Sequence, residues 1–152
     1  FFPAHADYRG LDSIEAMRRY HVEERGFADI AQHVSIAPDG AIWTGRDWNM
    51  TPASVGGVLN QGVFMLEMIG NFDAGHDRLE GDQLESTILV IRAVQRRFRL
   101  PPEALLFHRE VPVTTKTCPG TSVEKMDILA RIRACAGPAG DRRPVDNLLR
   151  TC

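Results

Sequence analysis

Two side chains late in the chain have the chemistry to act together. His108 lies in Phe107-His108-Arg109-Glu110 and Cys118 in Lys116-Thr117-Cys118-Pro119-Gly120, with the turn-rich Val111-Pro112-Val113-Thr114-Thr115 between them. An imidazole and a thiol so placed have three uses: binding a metal, acting as nucleophile and base, or filling a core. The first is favoured, as a catalytic zinc. Chain order argues against a papain-like hydrolase, whose cysteine precedes its histidine. Pro119 also removes a backbone N–H that would help hold an oxyanion or lower the thiol pKa. Zn²⁺ takes imidazole nitrogen and thiolate sulfur together, and catalytic zinc usually has three protein ligands and a water.

Glu67 is the third candidate. It interrupts the apolar run Val63-Phe64-Met65-Leu66-Glu67-Met68-Ile69, where a carboxylate is costly unless it is paired or faces a cavity. One reading is an edge position or an ion pair. The other is a general base whose pKa is raised by apolar surroundings, able to take a proton from the attacking water. Lys116 places an ammonium close to Cys118, where it would stabilise charge developing on a carbonyl oxygen; most loop lysines are simply solvated. Among the other histidines, His21 reads as a core residue, His33 and His76 show no ligand spacing, and only its identity speaks for His5.

The elements that must position these residues follow from periodicity. Asp12, with Glu15 three residues on, predicts a helix N-cap, and Ile14, Met17 and His21 mark a helix ending near Arg25-Gly26. Residues 29–36 read as a strand, Pro38-Asp39-Gly40 as a turn and Ala41-Ile42-Trp43-Thr44 as the returning strand. Residues 45–61 form a loop-rich stretch containing Arg46, Trp48 and Asn49, a composition that favours a binding surface. Residues 63–69 predict a central strand buried on both faces. Asp82 is expected to cap a long helix with Leu84, Ile88, Ile91, Val94 and Phe98 facing inward. Thr121-Ser122-Val123-Glu124 then predicts the cap of a last helix striped by Val123, Met126, Leu129 and Ile132. The expected architecture is α/β: a single domain with a central mixed β-sheet flanked by helices.

The 152 residues suffice for one domain, here residues 1–136, followed by a tail over 137–152 with little core of its own. A net charge of −2 gives no reason to expect nucleic acid as a partner. No apolar run is long enough for membrane insertion. Three cysteines make no disulfide framework. Cys135 and Cys152 either pair in an oxidising compartment or stay as two thiols.

Taken in order, Asp29-Ile30-Ala31-Gln32-His33, Ala37-Pro38-Asp39-Gly40, Gly45-Arg46-Asp47-Trp48-Asn49, Ile69-Gly70-Asn71-Phe72 and Lys116-Thr117-Cys118-Pro119-Gly120 resemble the type 2 N-acetylmuramoyl-L-alanine amidases and peptidoglycan recognition proteins. The resemblance covers residues 12–133. It implies zinc-dependent hydrolysis of the amide between N-acetylmuramic acid and L-alanine in peptidoglycan, outside the cell or in the periplasm. His108 and Cys118 match two zinc ligands, Lys116 the lysine that stabilises the transition state, and Glu67 the general base. Arg46, Trp48 and Asn49 are expected at the groove for sugar or stem peptide, and Trp43 either there or in the core. The alternative is a module that binds muropeptide without cleaving it. Two positions depart from the pattern. Gln32 stands where the family usually has tyrosine, and the first zinc-binding histidine is expected, with the first strand, upstream of Phe1, unless His5 replaces it or the metal is lost.

Overall fold

The computed structural model describes residues 3–112 and 114–134. The expected tail, Cys135 and Cys152 lie outside these residues.

Helix α1 (Leu11–Arg19) runs on into a π-helical turn, Tyr20–Glu24. Gly10, not Asp12, occupies its N-cap, and the Arg9 N–H donates to Ser13 Oγ at 2.9 Å. Asp12 falls inside the first turn, where its charge suits the positive pole of the helix. The helix buries Ile14 and Met17 against Ile30 and Ile69.

Three short strands make the sheet: β1 (Val34–Ile36), β2 (Ile42–Thr44) and β3 (Leu66–Met68). Their order is β2-β1-β3, with β1 antiparallel to β2 and parallel to β3, so the sheet is mixed as expected. Register sets Ser35 opposite Glu67. All three strands are shorter than the runs that predicted them, and around β1 and β3 side chains claim part of the flanking backbone. The Ala31 N–H donates to His21 Nδ1, the carbonyls of Asp29 and Ile30 accept from Arg46, and the Met65 N–H donates to His33 Nδ1. Every residue from 30 to 37 is nonetheless buried. The far side of β3 pairs with no strand among the described residues.

Helix α2 (Gly81–Phe98) is pinned to the sheet by Gln83, whose Nε2 donates to the carbonyls of Ile36 (3.1 Å) and Ile69 (2.8 Å). Glu80 holds its N-cap position without a side-chain cap bond, so Asp82 is not the cap. Ile88, Ile91 and Val94 face inward, but Phe98 is 49% exposed and lies beside Trp48. Helix α3 (Lys125–Ala134) packs Ile128, Leu129 and Ile132 onto Phe72, Ile88, Ile91 and Phe107. Met126 points outward, 66% exposed, because the buried stripe runs through 128, 129 and 132. No helix of the described residues is long and apolar enough to cross a membrane.

Candidate active site

His108 opens a tight 3₁₀ turn, His108–Glu110. The turn is stiffened from within: the Phe107 N–H donates to Glu110 Oε2 (2.7 Å), and Glu110 pairs with Lys125 at 2.9 Å. Arg109 ties it to the cysteine segment. Its backbone N–H donates to the Cys118 carbonyl (2.9 Å), and its guanidinium donates to the carbonyls of Gly120 and Val123. An imidazole and a thiol ten residues apart are thereby held on two hydrogen-bonded turns. Gly120 has φ +126°, and a Cβ there would overlap the Phe72 carbonyl, so the second turn closes only with glycine.

His108, Lys116, Cys118 and Glu67 line one cavity of about 790 Å³. Glu67 is buried on β3, and its Oε1 has no hydrogen-bond partner. Burial pushes its carboxyl up to about 8, the direction expected when desolvation penalises the charged form. The edge or ion-pair reading of Glu67 is half met: β3 is an edge strand, yet no ion pair to this carboxylate is found among the described residues. Burial lowers the His108 pKa, with Lys116 adding to the effect. Cys118 is a free, half-buried thiol whose pKa is raised by burial and then by the charge of Glu67. A cysteine nucleophile needs the opposite shift.

Chemically, His108 and Cys118 suit zinc, since a borderline-soft ion accepts this mixed N/S pair. They supply two donors. Among the described residues no group of three His, Cys, Asp or Glu is placed to hold an ion, so His5 does not complete the set. Its ring instead lies edge-on to Phe72 at 5.6 Å, and its backbone N–H donates to Asp77. Gln32 is fully buried, with its amide donating to Ser35 Oγ and the Met17 sulfur, and it does not line the cavity.

Arg46, Trp48 and Asn49 are not brought to this cavity. Arg46 is only 6% exposed, and its guanidinium donates to the carbonyls of Ile30 (2.8 Å), Thr51 (2.6 Å) and Asp29 (2.9 Å), which makes it an organiser of the loop. Trp48 is 51% exposed and meets Phe64 edge-on at 4.8 Å. Asn49 is exposed, its N–H turned back onto Asp47. Trp43 donates from Nε1 to the Tyr8 hydroxyl and packs on the α1 core. Phe64 is the link between the two regions, for it lines the cavity and touches Trp48. Asp73 and Arg109, which hold the cysteine turn, were not among the residues the sequence singled out. Asp73 bonds across 44 positions of sequence, and no local spacing signals such a contact.

The structure superimposes on bumblebee peptidoglycan recognition protein SA (TM-score 0.68, 24% identity, 82% of this chain and 74% of that one). It matches the amidase LysC of Clostridium intestinale as well (TM-score 0.68, 24% identity, 78% and 74%). The family model for N-acetylmuramoyl-L-alanine amidase matches residues 4–121, and the chain belongs to that family. In sequence it is 29% identical over 111 residues to the human N-acetylmuramoyl-L-alanine amidase, covering 73% of this chain and 19% of that protein. It is 27% identical over 111 residues to peptidoglycan-recognition protein SC1a of Drosophila melanogaster, covering 72% and 57%. The chain thus spans less than two thirds of the length of either relative.

Proposed function

We propose that this chain is the catalytic domain of a zinc-dependent N-acetylmuramoyl-L-alanine amidase, cutting the bond between the lactyl group of N-acetylmuramic acid and L-alanine in peptidoglycan outside the cell or in the periplasm. One observation carries the reading: the buried Glu67 carboxyl shares a cavity with the His108–Cys118 pair and Lys116. Among the described residues, Glu67 is the one with a buried unpartnered side-chain oxygen that also lines this cavity.

His108 and Cys118 would hold the zinc. When bound, zinc supplies a water acidified to a pKa of ~7 and a Lewis acid for the carbonyl. His108 and Cys118 are two of the three protein donors usual in catalytic zinc, and no third is placed beside them among the described residues. In its ionised form Glu67 takes one proton from the attacking water as the new C–O bond forms. Its raised pKa suits an acid that then returns this proton to the departing amine as the C–N bond breaks. Lys116 donates toward the negative charge that gathers on the lactyl oxygen.

A non-cleaving recognition domain is the second reading, favoured by the absence of a three-donor group among the described residues. The deciding experiment measures zinc content and release of stem peptides from purified cell wall on one preparation, before and after chelation. Activity lost to a chelator and restored by Zn²⁺ supports the amidase. Wall binding without release, whatever the metal content, overturns it. Activity indifferent to chelation but lost on alkylating Cys118 would instead make the cysteine a nucleophile.

A further inference from the structure

The turn bearing Cys118 is gripped from two directions, and only one grip comes from the neighbouring His108 turn. The other comes from Asp73. Its Oδ2 accepts from the Thr117 hydroxyl at 3.1 Å and its Oδ1 from the Thr121 N–H at 2.9 Å, so one carboxylate spans Cys118-Pro119-Gly120 from both ends. The contact is extended on each side. The Ala74 N–H donates to Thr121 Oγ1 (2.9 Å), and the Ser122 N–H donates to the Phe72 carbonyl (3.0 Å). Asp73 is itself held, its N–H donating to Asn71 Oδ1 at 3.1 Å. These bonds draw the Asp73 carboxyl below the usual range, the Thr121 N–H first among them.

The Asp73 segment continues from β3, the strand that carries Glu67. We propose that Asp73 is a positioning residue: it fixes the Cys118 sulfur and the approach of Lys116 relative to Glu67, without touching substrate or metal itself. The proposal rests on the amidase reading for its consequence in catalysis, but the positioning of Cys118 can be tested apart from it. Charge and position are told apart by asparagine. Taking up Zn²⁺ with loss of the thiol proton makes the site more positive, so a nearby carboxylate favours it by charge alone. If charge is all that Asp73 contributes, alanine and asparagine should weaken zinc binding alike. If Asp73 positions the sulfur, removal should weaken binding by the 10–100-fold typical of outer-shell partners.

The test compares Asp73→Ala, Asp73→Asn and Thr117→Val with the unaltered protein. Zinc affinity is read by competition with a chromophoric chelator, and alkylation of Cys118 in metal-free protein is read on its own peptide by mass spectrometry. Asparagine keeps an oxygen for the Thr121 N–H and offers an amide to the Thr117 hydroxyl, so it restores the geometry without the charge. The expected result is ~10–100-fold weaker zinc binding and faster alkylation for Asp73→Ala. Thr117→Val should show a smaller effect in the same direction, and Asp73→Asn near-normal values. Equal or tighter binding in Asp73→Ala, binding in Asp73→Asn as weak as in Asp73→Ala, or alkylation unchanged across the variants, overturns the proposal. Failure of the unaltered protein to bind zinc overturns the amidase reading instead, and the alkylation rates then decide the positioning role alone.

Discussion

Replacing Glu67 by glutamine in the metal-free protein should flatten a pH dependence of stability that the unaltered protein displays. The Glu67 carboxyl lies buried against β3, and its pKa climbs from the ordinary 4.5 to about 8. Above pH 4.5 the unfolded chain gives up this proton while the folded chain keeps it, so folding becomes less favourable as pH rises. The loss accumulates from about pH 4.5 and is complete above about 8, where it amounts to about 5 kcal/mol. That is a large part of the stability of an ordinary domain. His21 and His108 act with the opposite sign, because burial lowers their pKa values and protonation below about 6.5 favours the unfolded chain. Both histidines are common to the two proteins, so the difference between variants isolates Glu67. Urea unfolding of chelator-treated samples at about pH 5, 6, 7 and 8 gives that difference directly. The unaltered protein should lose several kcal/mol relative to Glu67→Gln across this range. Parallel curves would show that the carboxyl is solvated, and the account of it as a desolvated acid would fail.

Three further outcomes follow from the same geometry. Glu67→Ala should abolish turnover and leave zinc bound, as equilibrium dialysis would show, because the acid acts on the proton and is not a ligand. Arg46→Ala should cost about 3 kcal/mol or more in urea unfolding, since it strands three carbonyls that now accept from a buried guanidinium. Gly120→Ala should cost roughly 1–3 kcal/mol and weaken zinc binding in chelator competition, because the new methyl meets the Phe72 carbonyl at a φ that favours glycine.

Much of the candidate site was legible from residue types. A charged residue inside an apolar run pointed to Glu67, and a histidine and a cysteine flanking a short loop pointed to the pair that the structure sets on adjoining turns. Helix existence was equally legible, because apolar residues recurring at helical spacing mark α1 and α2. Phase and ends were harder to read. Phe98 fits the helical stripe by number but lies on the last turn, past the part of α2 that meets the core, where Trp48 takes it up. The capping boxes failed because Gly10 and Glu80 take the N-cap positions ahead of the aspartates. Arg46 looked like a surface cation because sequence cannot show that three carbonyls converge on it; five donors on a planar fork suit such a cluster. The clamp formed by Asp73 was invisible for a related reason, since both of its partners lie more than forty residues away.

The open side of β3 bears on how this domain is handled at the bench. A bare strand is a template for its own kind, and apolar side chains along it add adhesion to the free N–H and C=O groups. Val63, 44% exposed, and Leu106, 62% exposed, line the cavity that β3 borders. Concentrated stocks therefore invite copy-to-copy strand pairing, and dilute handling or a charged side chain set into that edge is the sounder route to crystallisation.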